Sequence, residues 1–233
     1  MNIILQALFN PVRAFNELKR ENKFPGMALV IFILLSAVYL ILMVPITSKV
    51  TALTMSLLPM PETQLDTTMT MMHKLRYLMV IGSVFTYLIM MFIYALVFYI
   101  VTVVAKPTVS YIKAFTLIIY GYFAVLIGEF VNTGILYFRG LENITNPFEM
   151  MFTGLNVFTT INDVGAGIYM LLCLINPFQI WFVVLLSVGL KVFADIKYSK
   201  ALLIWIIYWL ILLIYPVASA IISEMAMNKI GLM

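Results

Sequence analysis

Glu129 is the one charged residue inside the five long apolar stretches of this sequence. A carboxyl group in the hydrocarbon region of a bilayer is costly, and it usually faces a bundle interior or a watery cavity. Such a group can take a proton or a cation, or contact a lipid headgroup or a substrate. It can equally form an interhelical hydrogen bond, worth about 1 kcal/mol, that fixes helix packing. Asn132, one helical turn further on, could share either role.

Other polar side chains fall at the same predicted depth. Counted from the nearest lysine at one end of its apolar stretch, Glu129 lies 16 residues in and Asn176 lies 15 residues in. At a helical rise of about 1.5 Å per residue, both are about 23 Å from that end. Tyr39 and Tyr215, counted in the same way, reach the same level. The sequence therefore predicts an intramembrane polar layer that consists of Glu129, Asn132, Asn176, Gln179, Tyr39 and Tyr215.

The segment MTMMHKL, residues 69–75, contains the only histidine of the chain. Thioether and imidazole groups are ligands that Cu(I) accepts. The candidate copper ligands are Met69, Met71, Met72 and His73. The chain has 17 methionines, however, with no regular spacing. We favour a helix whose apolar side is formed by Met69, Met72, Leu75 and Met79, and we expect no metal site.

Sequence signatures of catalysis were not found. The chain has no His-Glu-x-x-His, no pair of intramembrane aspartates, no Gly-x-Ser-x-Gly and no phosphate-binding glycine loop. One loop histidine and one membrane-embedded carboxylate offer no visible apparatus for hydrolysis or group transfer. We therefore expect a protein that is not an enzyme and that needs no cofactor.

The composition is that of a membrane protein. Hydrophobic residues make up 64% of the chain and charged residues 10%, whereas soluble domains are about 25% charged. The single cysteine, Cys173, excludes an internal disulfide. The net charge of +4 is scattered between apolar stretches rather than gathered on one face, so we expect no nucleic-acid partner.

Five apolar stretches are long enough to cross a bilayer as helices, which takes about 20 residues. The fold class predicted is therefore an all-α membrane protein with five transmembrane helices. The fourth stretch is interrupted by Asn176-Pro177, which predicts a kink. The predicted spans are 27–46, 78–105, 114–138, 165–190 and 201–223, within a membrane domain over 25–233.

Positive charges predict the orientation of the spans. The N-terminal segment and the loops after the second and fourth spans carry nine Lys and Arg, whereas the remaining loops and the C-terminus carry five. Because cytoplasmic loops are enriched in Lys and Arg, we expect a cytoplasmic N-terminus and an extracytoplasmic C-terminus.

The segment before the first span, residues 1–24, predicts an amphipathic helix. Asn10 suits the N-cap and Pro11 the first helical position. At 100° per residue, Val12, Phe15 and Leu18 share one side of this helix. Such a helix could lie in the inner membrane interface or pack on the bundle, and the two positions are compatible. The residues expected to contact anionic lipid or a partner are Arg13, Lys19, Arg20 and Lys23.

Three motifs resemble the Yip-domain family of Ypt-interacting proteins. They are the Asn-Pro that opens the first helix, IIYGY at 118–122, and the pair NPFQIW at 176–181 and GLKVFADIKYSKAL at 189–202. The resemblance covers nearly the whole chain. It implies a five-helix membrane domain with a cytoplasmic N-terminus. The short N-terminal segment is similar to that of bacterial members, which implies a location in the bacterial inner membrane.

The resemblance and the residues leave three functions open. Some bacterial members accompany ABC-type exporters, which implies a non-catalytic accessory or membrane-organising protein bound to exporter subunits or to itself. A small transporter or lipid-handling protein would use the Glu129 layer. Eukaryotic members associate with Rab GTPases in vesicle traffic through a long cytoplasmic arm, and only about 24 residues precede the first span here, so we favour the first function.

Overall fold

The computed structural model describes residues 3–21, 24–56, 62–107, 109–144 and 150–230, and within these ranges the regular structure is helical. The helices are α1 (Ile3–Phe9), α2 (Pro11–Glu21), α3 (Gly26–Ser56), α4 (Glu62–Val104), α5 (Tyr111–Arg139), α6 (Ile161–Leu174), α7 (Pro177–Ala194) and α8 (Tyr198–Ile230). Two short 3-10 helices occupy Leu141–Asn143 and Leu155–Phe158.

Five of these helices are long and apolar enough to cross a membrane, which confirms the predicted fold class. The apolar segments are Gly26–Met55, Lys74–Val104, Tyr111–Arg139, Pro177–Ala194 and Tyr198–Ile222. The segment of α5 is the most enclosed, with 67% of its most apolar window buried against 17% for that of α3. The 43-residue α4 starts well before its apolar segment, so the helix continues beyond the length that a bilayer requires.

The segment predicted as a single fourth span over 165–190 is divided into α6 and α7. Ile175 leaves the helical conformation, with φ −88° and ψ 85°, and Pro177 starts the next helix. The proline ring has no N–H to continue α6 and is pre-organised for a first helical position. Only α7, with 18 residues, is long enough to span.

The N-terminal segment forms α1 and α2 rather than one helix. Asn10 separates them, and its side-chain oxygen accepts a hydrogen bond from the Arg13 backbone N–H at 3.4 Å. On α2, Ala14 and Phe15 are buried while Arg13 is exposed. Whether α2 lies at a membrane surface stays a prediction.

The chain divides into two compact units. Unit 1 comprises Met1–Leu34, Thr86–Gly128 and Pro177–Ile214, and unit 2 comprises Leu35–Phe85, Glu129–Asn176 and Tyr215–Met233. The core of unit 1 is aromatic. Phe98 stacks on Trp205 with ring centroids 4.0 Å apart, and Tyr208 meets both rings edge-on. The Tyr208 hydroxyl donates to the Tyr94 carbonyl oxygen at 3.2 Å.

Glycines allow α5 and α7 to approach closely in unit 1. A Cβ added at Gly128 would lie 2.6 Å from Phe178 Cγ and 2.8 Å from Phe178 Cβ. A Cβ added at Gly121 would likewise lie too close to Leu186 and Phe182, and one added at Gly189 would lie too close to Leu117. Small residues at such contacts are the usual means of close helix packing in membranes.

We predict that Gly128→Ala lowers the free energy of unfolding by about 1–3 kcal/mol. The added methyl group overlaps Phe178 Cβ and Cγ, and these atoms cannot move away unless the α7 backbone also shifts. Gly134→Ala is the matched control on the same helix, since nothing lies within 4 Å of the added Cβ and alanine favours helix. Unfolding by detergent titration measures both. Equal stability of the two variants would contradict close α5–α7 packing at Gly128.

Candidate functional site

Glu129 and Tyr39 form the centre of the candidate site in unit 2. Both side chains are partly buried, and the carboxylate is close enough to act electrostatically on the phenol. The Tyr39 ring also meets Phe130 edge-on, with centroids 5.9 Å apart. The structure therefore brings together Glu129 and Tyr39 of the predicted polar layer.

Asn132, one turn along α5 from Glu129, holds residues 150–152, which precede the second 3-10 helix. Its Nδ2 donates to the Met150 carbonyl oxygen at 2.9 Å, and its Oδ1 accepts from the Phe152 backbone N–H at 2.7 Å. The side chain is 7% exposed. Both ends of the amide are thus used by the main chain of one extended segment.

Two further side chains of α5 connect it with α3. The Tyr137 hydroxyl donates to the Leu42 carbonyl oxygen at 2.7 Å. The Thr133 hydroxyl lies 2.8 Å from the Glu129 carbonyl oxygen and 3.4 Å from Met43 Sδ. Neither residue was predicted from the sequence, although Thr133 follows Glu129 by four positions and so lies on the same face of the helix.

Asn176, Tyr215 and Gln179 are the remaining members of the predicted layer. Asn176 is buried, and its Nδ2 donates to the Cys173 carbonyl oxygen at 3.2 Å, at the end of α6. Tyr215 is 79% exposed. Gln179 lies in the first turn of α7 and belongs to unit 1. The layer of six residues as a whole stays a prediction.

Glu224 on α8 is a second carboxylate of unit 2 with a defined partner. Its Oε2 accepts a hydrogen bond from the Ala166 backbone N–H at 3.1 Å. The preceding residue, Gly165, has φ 75° and interrupts the helical conformation of α6, which leaves this N–H without a partner inside the helix. A carboxylate at such a helix start is favourable.

The basic residues predicted for lipid or partner contact differ in their surroundings. Lys19 Nζ donates to the Val192 carbonyl oxygen at 2.7 Å, near the C-terminal end of α7, where a cation is favourable. Arg13 and Arg20 are exposed on α2. Lys23 lies outside the described residues.

The copper prediction falls largely outside what the structure describes. The side chains of Met69, Met72 and His73 are among those not described, and Met71 is 61% exposed on α4. Within the described residues there is no group of three or more His, Cys, Asp or Glu that could hold a metal ion. The expectation of an apolar helix face in place of a Cu(I) site is therefore not tested for these side chains.

We predict that Asn132→Ala destabilises the protein by about 2–4 kcal/mol, because two hydrogen bonds are lost and a backbone N–H and a carbonyl are left unpaired. Asn162→Ala, at an exposed position of α6, is the matched control and is expected to change stability by no more than about 0.5 kcal/mol. Thermal unfolding in detergent measures both variants. A stable Asn132→Ala protein would contradict the role of Asn132 in holding residues 150–152.

Comparison with known proteins gives the family. The sequence pattern of the Yip1 domain matches residues 5–220, nearly the whole chain. Searches of curated proteins and of solved structures gave no significant match. The matched range contains α2 to α7 entirely and most of α1 and α8. The chain therefore belongs to the Yip1-domain family and is a membrane protein with several apolar helices.

Proposed function

We propose that this protein is a non-catalytic accessory or membrane-organising protein that acts by binding a partner. The exposed side of α2 is the charged surface that binds this partner. The observation that carries the proposal is the packing of α1 and α2 on the other helices of unit 1. Ile4, Ala7 and Leu8 of α1 are buried. Attachment of this kind fixes the direction in which α2 presents its charged residues.

Phe15 is the main anchor of α2. Its side chain has no exposed surface, and its ring meets Phe193 of α7 edge-on at 5.9 Å and Tyr120 of α5 at 6.4 Å. An added Cβ at Gly189 would lie 3.1 Å from this ring. The Lys19 hydrogen bond to Val192 adds a polar contact on the same pair of helices.

The opposite side of α2 is exposed and carries charges of both signs. We define this contact surface by its residues, which are Arg13, Asn16, Glu17, Arg20 and Glu21. Charges of both signs allow electrostatic complementarity with a protein surface, which serves specificity more than affinity. The two arginines also suit anionic lipid headgroups at a cytoplasmic interface, in line with the predicted orientation.

Several polar side chains of the chain bind backbone groups, which supports a structural use for them and a role without catalysis. Asn132, Tyr137 and Lys19 each pair with main-chain atoms. The proposed partner, from the family resemblance, is an ABC-type exporter in a bacterial inner membrane, and a second copy of this chain is the other candidate.

We predict that the tagged protein, purified in a mild lipid-preserving detergent, recovers the ATPase and permease of an ABC-type exporter in stoichiometric amounts. Replacing Arg13 and Arg20 by glutamine should lower this recovery several-fold, because two charges of the contact surface are lost. The double variant Lys74→Gln/Arg139→Gln removes the same charge on the predicted opposite side of the membrane and should not lower it. Recovery of the protein without any second protein would contradict the accessory function.

The proximity of Glu129 and Tyr39 favours a second candidate function, a small transporter or lipid-handling protein. A carboxylate next to a phenol within the membrane could accept and release a proton or bind a cation. If this function holds, Glu129→Gln in proteoliposomes should abolish cation- or proton-dependent uptake, whereas Tyr39→Phe should reduce it. Unchanged flux and unchanged cellular phenotype of a folded Glu129→Gln protein would remove the support for this function.

A further inference from the structure

A groove between α3 and α4 in unit 2 is part of neither the Glu129 pair nor the contact surface. Its volume is about 270 Å³. Helix α3 lines it with Leu40, Met43, Val44, Thr47, Ser48 and Thr51, and α4 lines it with Arg76, Met79, Val80 and Ser83. A few polar groups on a mainly apolar lining are typical of ligand sites.

The polar groups are concentrated toward one end of the groove. The connection between α3 and α4 is only residues 57–61, so the two helices run in opposite directions. The later lining residues of α3, which are Thr47, Ser48 and Thr51, therefore share one end of the groove with Arg76, the first lining residue of α4. Leu40 and Met43 of α3 and Ser83 of α4 line the other end, and Met79 and Val80 lie between the two ends.

Arg76 supplies the positive charge of the groove. Its guanidinium lies over the Tyr77 ring, 4.8 Å from the centroid, and such stacking restricts the group without using its N–H donors. Among the residues that the structure describes, Arg76 stacks on Tyr77 and forms no ion pair with a carboxylate. A guanidinium presents planar, paired donors that match phosphate oxygens.

Arg76 lies near the end of the apolar segment of α4, and we expect the ends of such segments at the level of lipid headgroups. The apolar segment of α4 starts at Lys74, so Arg76 lies two residues inside its end. At about 1.5 Å per residue this is about 3 Å from the end of the segment. The apolar half of the groove continues from this level toward the middle of the segment.

We propose that this groove binds an anionic phospholipid of the membrane. The phosphate is held by the Arg76 guanidinium with hydroxyl groups of Thr51 and Ser48 beside it, and the start of an acyl chain lies along Met43, Met79 and Val80. The groove is open, with Thr47, Ser48 and Met79 exposed, so the rest of the lipid remains in the bilayer. The proposal does not depend on the exporter partner or on Glu129.

The test is lipid retention, measured by native mass spectrometry after transfer from nanodiscs that contain equal amounts of phosphatidylglycerol and phosphatidylcholine. We expect one phosphatidylglycerol to be retained in preference to phosphatidylcholine. Arg76→Gln should lower this retention about fivefold, which is the contribution of one cation to an anionic headgroup. Lys74→Gln, which removes the same charge from an exposed position of α4 outside the groove, should lower it less than about twofold.

Ser83→Leu tests the apolar half of the groove without any change of charge. It should also lower phosphatidylglycerol retention, because the added side chain occupies groove volume. Equal retention of both lipids by the natural protein, equal losses in Arg76→Gln and Lys74→Gln, or unchanged retention in Ser83→Leu would each overturn the proposal. Loss of retention in Arg76→Gln with intact exporter recovery would separate this site from the accessory function.

Discussion

Backbone N–H and C=O groups that a helix leaves unpaired must find partners inside the protein wherever water is excluded, and much of this structure follows from that requirement. The breaks at Gly165 and Asn176, and the segment at 150–152, all expose such groups. Glu224, Asn132 and Asn176 supply the partners in unit 2. In unit 1, Lys19 does the same for a carbonyl near the end of α7. Polar side chains within apolar surroundings thus have a structural use before any other.

This requirement affects how the membrane-embedded residues are interpreted. Asn132 uses both ends of its amide to hold one loop segment, so its position next to Glu129 does not by itself indicate chemistry. Glu129 differs, because its electrostatic neighbour is the Tyr39 side chain. A transport function would accordingly use this pair, whereas the attached α2 supports a function by contact.

The five long helices were predictable because the length of an apolar run determines whether it can span a bilayer. The break before Pro177 was visible in the sequence as an interruption. The second break, at Gly165, was not, because the carboxylate that pairs with the Ala166 N–H belongs to Glu224, 58 positions later. Counting residues from the helix ends predicts depth alone. It does not predict direction around the helix axis, and so it could not show that Tyr215 is exposed or that Asn132 meets residues 150–152. Lys19 was predicted to contact anionic lipid or a partner, and its hydrogen bond to the Val192 carbonyl could not be predicted for the same reason.

The claim that α2 is a contact surface is tested most directly by photo-crosslinking in cells. A photoreactive amino acid at Glu17, which is exposed on α2, should give a discrete adduct with a second protein. The same group at Tyr215, which is exposed on α8, should not give that adduct. No protein adduct from position 17, or the same adduct from both positions, would contradict the account.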